Sequence, residues 1–184
     1  MKLFITLLML MSLTLAISLA EQDATVTTDP NYHLSLVNKI RADNGKSPLK
    51  LSPCLMDSAQ FHSEYQANTN TMTHDDPNGG LYERFTVYGS TNYTAGAAEN
   101  VAAGQQSDDS VVTAWKNSAG HFANMIGDYQ LIGIGLQVSG KGTPYWTQQF
   151  TSGACVHKNS SSRATFSVAT ILASVVFALA ALLL

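Results

Sequence analysis

The chain is apolar at both ends and patterned in between. Met1-Lys2 leads into LFITLLMLMSLTLAISLA, an unbroken apolar run that closes on small residues. Ser18-Leu19-Ala20 fits the small-x-small pattern of a secretory signal, so residues 1–20 read as a signal peptide and Glu21 as the new N-terminus. Glu21 to Thr28 is polar and aperiodic, and residues 21–30 read as a stalk. Asp29-Pro30 is an N-cap followed by proline at the first helical position, with Leu34, Val37 and Ile40 at helical spacing and Gly45 as the stop. Ser52-Pro53 repeats the start signal, and Leu55, Ala59, His62 and Gln66 share one face of a second helix. Thr71 to Gly96, rich in Gly, Asn, Thr and Asp, shows no sustained period and predicts mostly loop. Ser107-Asp108-Asp109 caps a third helix with acidic residues that suit the helix dipole, and Val111, Val112 and Trp115 form its buried side. A short helix begins near Gly120.

Beyond it, Ile132, Ile134, Leu136 and Val138 alternate with Gly133, Gly135 and Gln137, the pattern of a half-buried strand. Ser139-Gly140-Lys141-Gly142 is turn material, and YWTQQF (145–150) alternates again, which predicts a β-hairpin. Helices come first and strands mostly last, so the class is α+β.

Val168 to Leu184 is apolar to the last residue and has no basic anchor. A spanning helix needs about 20 apolar residues and Lys or Arg on its cytosolic side. Small residues, a polar spacer and an apolar end instead match a GPI-attachment signal, with 156–167 as linker and 168–184 as the removed tail. Asn159 is the favoured attachment residue. Its spacer, Ser162 to Ser167, is shorter than the usual length of about 8–12 residues. The earlier Ser152-Gly153-Ala154 would restore that length but cut off Cys155. A single retained helix is the alternative membrane anchor. Extracellular, cell-surface placement follows from either.

The hydrophobic fraction of 45% is raised by these two ends. Residues 21–159 carry eight basic against 13 acidic side chains, a net charge of −5. That excludes a nucleic-acid binder, which needs a basic face. Cys54 and Cys155 are the only cysteines and should pair in an oxidising compartment. Their bridge would close a loop of about 100 residues, worth about 4–5 kcal/mol in the chain-entropy model. Asn92-Tyr93-Thr94 is a glycosylation sequon.

The chain holds no HExxH, CxxC, GxSxG or phosphate-binding glycine loop, so spacing alone names no reaction. Met72-Thr73-His74, Ala98-Glu99-Asn100-Val101-Ala102 and Ser118 to Met125 each place one titratable group among small residues, in or beside a loop. His62, on the inner face of the second helix, reads as a satisfied core histidine. Ser118 lies three residues before His121, but nothing supplies an orienting acid or oxyanion hole for a nucleophile. Tyr82, Phe85, Tyr88 and Tyr93 either wall an apolar groove or pack under a long loop.

LVNKIRADNGKSPLKLSP, MTH, AENVAAG, VVTAWKNSAGHFANMI, IGIGLQV and YWTQQF stand in an order that resembles the CAP superfamily, the SCP-like proteins (cysteine-rich secretory, antigen 5 and pathogenesis-related). The likeness covers about Leu34 to Phe150 and favours the short bacterial and fungal branch. It implies a domain over 31–155 with an α-β-α sandwich around a central antiparallel sheet. It also implies a cleft of two histidines and two glutamates. His74 and His121 match the histidines and Glu99 one glutamate, while Ser118 stands where the second falls. The three remaining donors could ligate Zn²⁺ or another divalent cation, or form a buried polar network that pins the cleft loops. The resemblance further implies a binding protein for a small apolar ligand, a sterol or fatty acid, more than an enzyme. Only five residues separate Trp115 from His121, which leaves no room for the aromatic loop of sterol-binding relatives. A metal-assisted secreted hydrolase and a cell-surface structural or host-interaction module are the alternatives.

Overall fold

Proline at the first helical position starts both long helices. α1 (Pro30–Asp43) is capped by Asp29, whose carboxylate accepts from the backbone N–H of Asn31 and Tyr32. It ends as the sequence predicts, with Gly45 in the left-handed region at φ +67°. After β1 (Lys50–Leu51), α2 (Pro53–Thr69) runs to Asn70, a left-handed cap. The computed structural model describes residues 26–91 and 96–156. The readings on the signal peptide, Asn92, Tyr93, Asn159 and the apolar tail lie outside them.

The stretch expected to be mostly loop holds α3 (Leu81–Val87) and β2 (Ser90–Thr91). β3 (Ala97–Ala103), α4 (Asp108–Lys116), α5 (Ala119–Met125), β4 (Leu131–Val138), β5 (Pro144–Thr151) and β6 (Ala154–Cys155) complete the order. The segment around Glu99, expected in or beside a loop, is therefore strand. Its alanines give no β signal, and pairing along its whole length with β5, from Ala97↔Thr151 to Ala103↔Tyr145, imposes the conformation.

The main sheet has the order β1-β4-β5-β3, antiparallel except where β1 joins β4 in parallel. A two-stranded ribbon of β2 and β6 lies apart from it. Residue parity divides the faces. Ile132, Ile134, Trp146, Phe150, Ala98 and Ala102 join Val37, Ile40, Val111, Val112, Trp115 and Met125 in the apolar core, under α1, α4 and α5. α2 covers the other face, which is small and polar. There Ser63 and Gln66 donate to Thr147 Oγ1 at 2.9 and 3.1 Å. Helices on both faces make the α-β-α sandwich.

β4 was expected to be half-buried, yet Gly133 and Gly135 are buried as well. A Cβ on Gly135 would stand 2.2 Å from the Ala59 carbonyl oxygen, and one on Gly133 2.2 Å from Leu55 backbone atoms. The glycines let α2 settle directly on the strand. The end of the expected stalk is also docked: Thr28 Oγ1 and the Asp29 N–H donate to Asp108, at 2.7 and 3.1 Å. Cys54 and Cys155 are disulfide-bonded, Cα to Cα 5.7 Å. The bridge fixes β6 to the start of α2. No helix among the described residues is long and apolar enough to cross a membrane.

Candidate functional site

Two of the motifs lock onto each other through asparagines. Asn124 Nδ2 donates to the Glu99 carbonyl at 3.2 Å and to Asn100 Oδ1 at 2.8 Å, while Asn100 Nδ2 reaches the His121 carbonyl at 3.2 Å. Trp115 Nε1 donates to the Val101 carbonyl at 3.2 Å. β3 is an edge strand, so these donors cap carbonyls that no neighbouring strand takes. They also fix α5, and with it His121, beside Glu99. Behind them, Asn100 donates to Gln148, and Gln148 to His33 Nε2 at 2.7 Å. His33 Nδ1–H donates to Asp108 at 2.6 Å, a tautomer set by its partners.

On the opposite face, the Glu99 carboxylate is nearly enclosed, its side chain 4% exposed. Arg84 forks onto it, Nη1 to Oε2 at 2.6 Å and Nη2 to Oε1 at 3.1 Å. Gln149 Nε2 donates to Oε2 and His74 Nδ1 to Oε1, each at 2.9 Å. Burial opposes the charge on Glu99. Hydrogen bonds from His74 and Arg84, with the nearby His62 and Arg84 charges, outweigh it and lower its pKa to about 2. His74 is raised, first by its hydrogen bond to Glu99.

The sequence reading brought in neither Arg84 nor Asp76. Arg84 Nη1 lies 3.8 Å from Asp76 Oδ2, which takes the His62 Nδ1 hydrogen bond at 2.7 Å. His62 Nε2 faces the Thr73 carbonyl at 2.9 Å. His62 is thus the satisfied buried histidine expected, and it anchors the chain leading to His74. One signal for Arg84 was present: it is the only Lys or Arg between Thr71 and Gly96.

His121 stands outside this cluster. It lines a groove of about 340 Å³ with Met72, Val101, Trp115 and Ser118, among others. Its pKa is lowered, first by burial and then by the charge of His74. Ser118 is the N-cap residue of α5, and its hydroxyl is not hydrogen-bonded to the His121 ring. Of the aromatics between 82 and 93, Phe85 is fully buried and Tyr88 packs on Phe61 with ring centroids 6.0 Å apart.

The donors implied for a divalent ion do not fit one as they stand. Among the described residues no group of three or more His, Cys, Asp or Glu is placed to hold a metal. A carboxylate offers about four lone-pair sites, and the four hydrogen bonds to Glu99 use them. His74 and Glu99 are in hydrogen-bond contact, and His121 lines the groove.

The sandwich fold agrees with comparisons to known proteins. The model of the CAP family, the cysteine-rich secretory protein family, matches residues 34–150, and the chain belongs to that family. It is 34% identical over 140 residues to the uncharacterized protein YkwD of Bacillus subtilis, covering 71% of this chain. The chain spans about half that relative's length, 52%. An extracellular SCP-domain protein from Bacillus anthracis superposes with TM-score 0.58 at 26% identity, over 66% of this chain and 39% of that one. An outer surface protein from Borrelia burgdorferi shares the fold, with TM-score 0.60 at 21% identity, over 67% and 92%. The bacterial likenesses agree with the short branch of the family.

Proposed function

We propose that the chain is an extracellular, non-catalytic CAP module that binds a small apolar molecule, a fatty acid or sterol, in the groove between β3 and the α4–α5 turn. The carrying observation is the groove itself. Its volume lies in the range of small-ligand pockets, about 300–1,000 Å³. Met72, Val101, Ala102 and Trp115 supply apolar wall, and His121 with Ser118 supplies a polar end. Extracellular placement is supported by the signal-like N-terminus, the disulfide, and relatives described as extracellular or outer-surface proteins.

The chemistry favours binding over hydrolysis. Glu99 is held ionised far below neutral pH with its lone pairs engaged, which makes it a poor general base. Ser118 lacks an activating hydrogen bond to His121.

Organic extraction and mass spectrometry of the protein purified from expressing cells test the reading. A fatty acid or sterol should co-purify with the parent and be lost from Met72→Glu and Ala114→Trp, both groove-lining and exposed, with melting temperature unchanged. A parent without such a ligand, or variants that retain it equally, would sink the proposal.

A further inference from the structure

We infer that Arg84 is the resident cation of this cleft: its guanidinium takes the place a divalent ion would hold on Glu99, and through Glu99 it positions His74 and the Met72 wall of the groove. This goes beyond the apolar-ligand reading and does not depend on it.

The argument begins with lone pairs. Two parallel N–H···O bonds from Arg84 occupy one site on each oxygen of Glu99. His74 takes the second site on Oε1 and Gln149 the second on Oε2. A metal needs those same lone pairs, so it must displace the guanidinium, the His74 N–H or the buried Gln149 amide. The guanidinium cannot leave cheaply. Its side chain is 3% exposed and sits between two carboxylates, Glu99 and, at 3.8 Å, Asp76, whose side chain is 0% exposed. Withdrawing Arg84 would leave both acids buried without their cation. Bringing a divalent ion in beside it would set two cations a few ångströms apart, their repulsion screened only on the side where the His74 ring meets solvent.

The positioning role follows from the other end of the fork. Arg84 Nη2 also reaches the His74 carbonyl at 3.4 Å, while Glu99 accepts from the His74 ring. One guanidinium therefore holds His74 at its backbone directly and at its imidazole through Glu99. Met72 is two residues upstream and lines the groove. Arg84 Nε is buried without a hydrogen-bond partner, so the polar contacts of the group are all made through its two Nη atoms.

The test uses the full-length chain purified from cells, melted with added Zn²⁺ and with EDTA. The parent should be unmoved by either. Arg84→Ala should melt lower and regain several degrees with Zn²⁺, because its vacated lone pairs now accept the ion. That recovery should vanish when His74→Ala is added. A merely structural arginine would lower the melting temperature without creating a response to Zn²⁺, so a folded Arg84→Ala indifferent to the ion overturns the inference. A parent stabilised by Zn²⁺ in a manner abolished by His74→Ala overturns it as well. Where Arg84→Ala does not fold, the His74 imidazole resonances of the parent decide. Resonances that stay in place during Zn²⁺ titration support a resident Arg84 cation, and resonances that shift with the ion overturn it.

Discussion

Glu99 carries a charge that the fold both hides and holds. Its pKa falls from 4.5 to about 2, and at about 1.4 kcal/mol per unit this is on the order of 3 kcal/mol of stability. A depressed carboxylate contributes above its unfolded pKa and loses that contribution as pH falls through the folded value. Stability should therefore decline between pH 4.5 and about 2. Glu99→Gln should flatten that limb in denaturant melts taken across pH, and lose about 1–3 kcal/mol at pH 7, because Arg84 loses its two-bond partner and keeps only Asp76, 3.8 Å away. The two cleft histidines have opposite signs. His74 is raised above 6.5, so its contribution is complete below 6.5 and fades as pH climbs through the folded value. His121 is lowered, so its contribution is complete above 6.5 and fades as pH drops. Melting temperature against pH should lose its alkaline decline in His74→Gln and part of its acidic decline in His121→Gln.

At the scale of elements, α2 and β4 meet backbone to backbone. Gly→Ala in an open strand is favourable by about 0.5–1 kcal/mol. At Gly135 the added methyl would meet the Ala59 carbonyl, so Gly135→Ala should destabilise by about 1–3 kcal/mol in urea melts. Gly140 has nothing within 4 Å of a built Cβ, and Gly140→Ala should be near neutral. The same elements show what could be read in advance. Asp29-Pro30, Ser52-Pro53 and Ser107 are local signals, and each begins a helix where it should. The hairpin of β4 and β5 was equally legible, because alternation and a glycine turn are local as well. β3 was not: Ala-Ala-Glu-Asn-Val-Ala-Ala has little strand preference and is shaped by its partner. α3 was hidden because seven residues among glycines are too few to show a period.

For the whole molecule, the cysteine pair was legible by counting, and it ties residues 101 apart. Replacing both with alanine should lower stability by about 4–5 kcal/mol if chain entropy dominates, as guanidinium melts of the purified protein would show. The partners of Glu99 were not legible. Arg84 and Gln149 reach it from two separate stretches of chain, and only the folded path shows that one carboxylate collects them. Single charges in a polar loop carry no mark of where they will be buried.

That bridge also decides how the molecule carries load. Tension applied beyond Val156 meets Cys155 first, and passes through a covalent bond into α2, which lies on the central strand. Without it, the same tension would unzip the two-residue ribbon of β2 and β6 and go on to peel β5 from the sheet. Drawn from its two ends, the oxidised protein should keep closed the stretch between the cysteines, which stand 101 positions apart, withholding about 340 Å of contour length. Force spectroscopy should see that length appear only after reductant is added. Gripped at its C-terminal side, the domain would thus resist shear through a bond rather than through hydrogen bonds, and reduction would weaken that hold before it unfolded the domain.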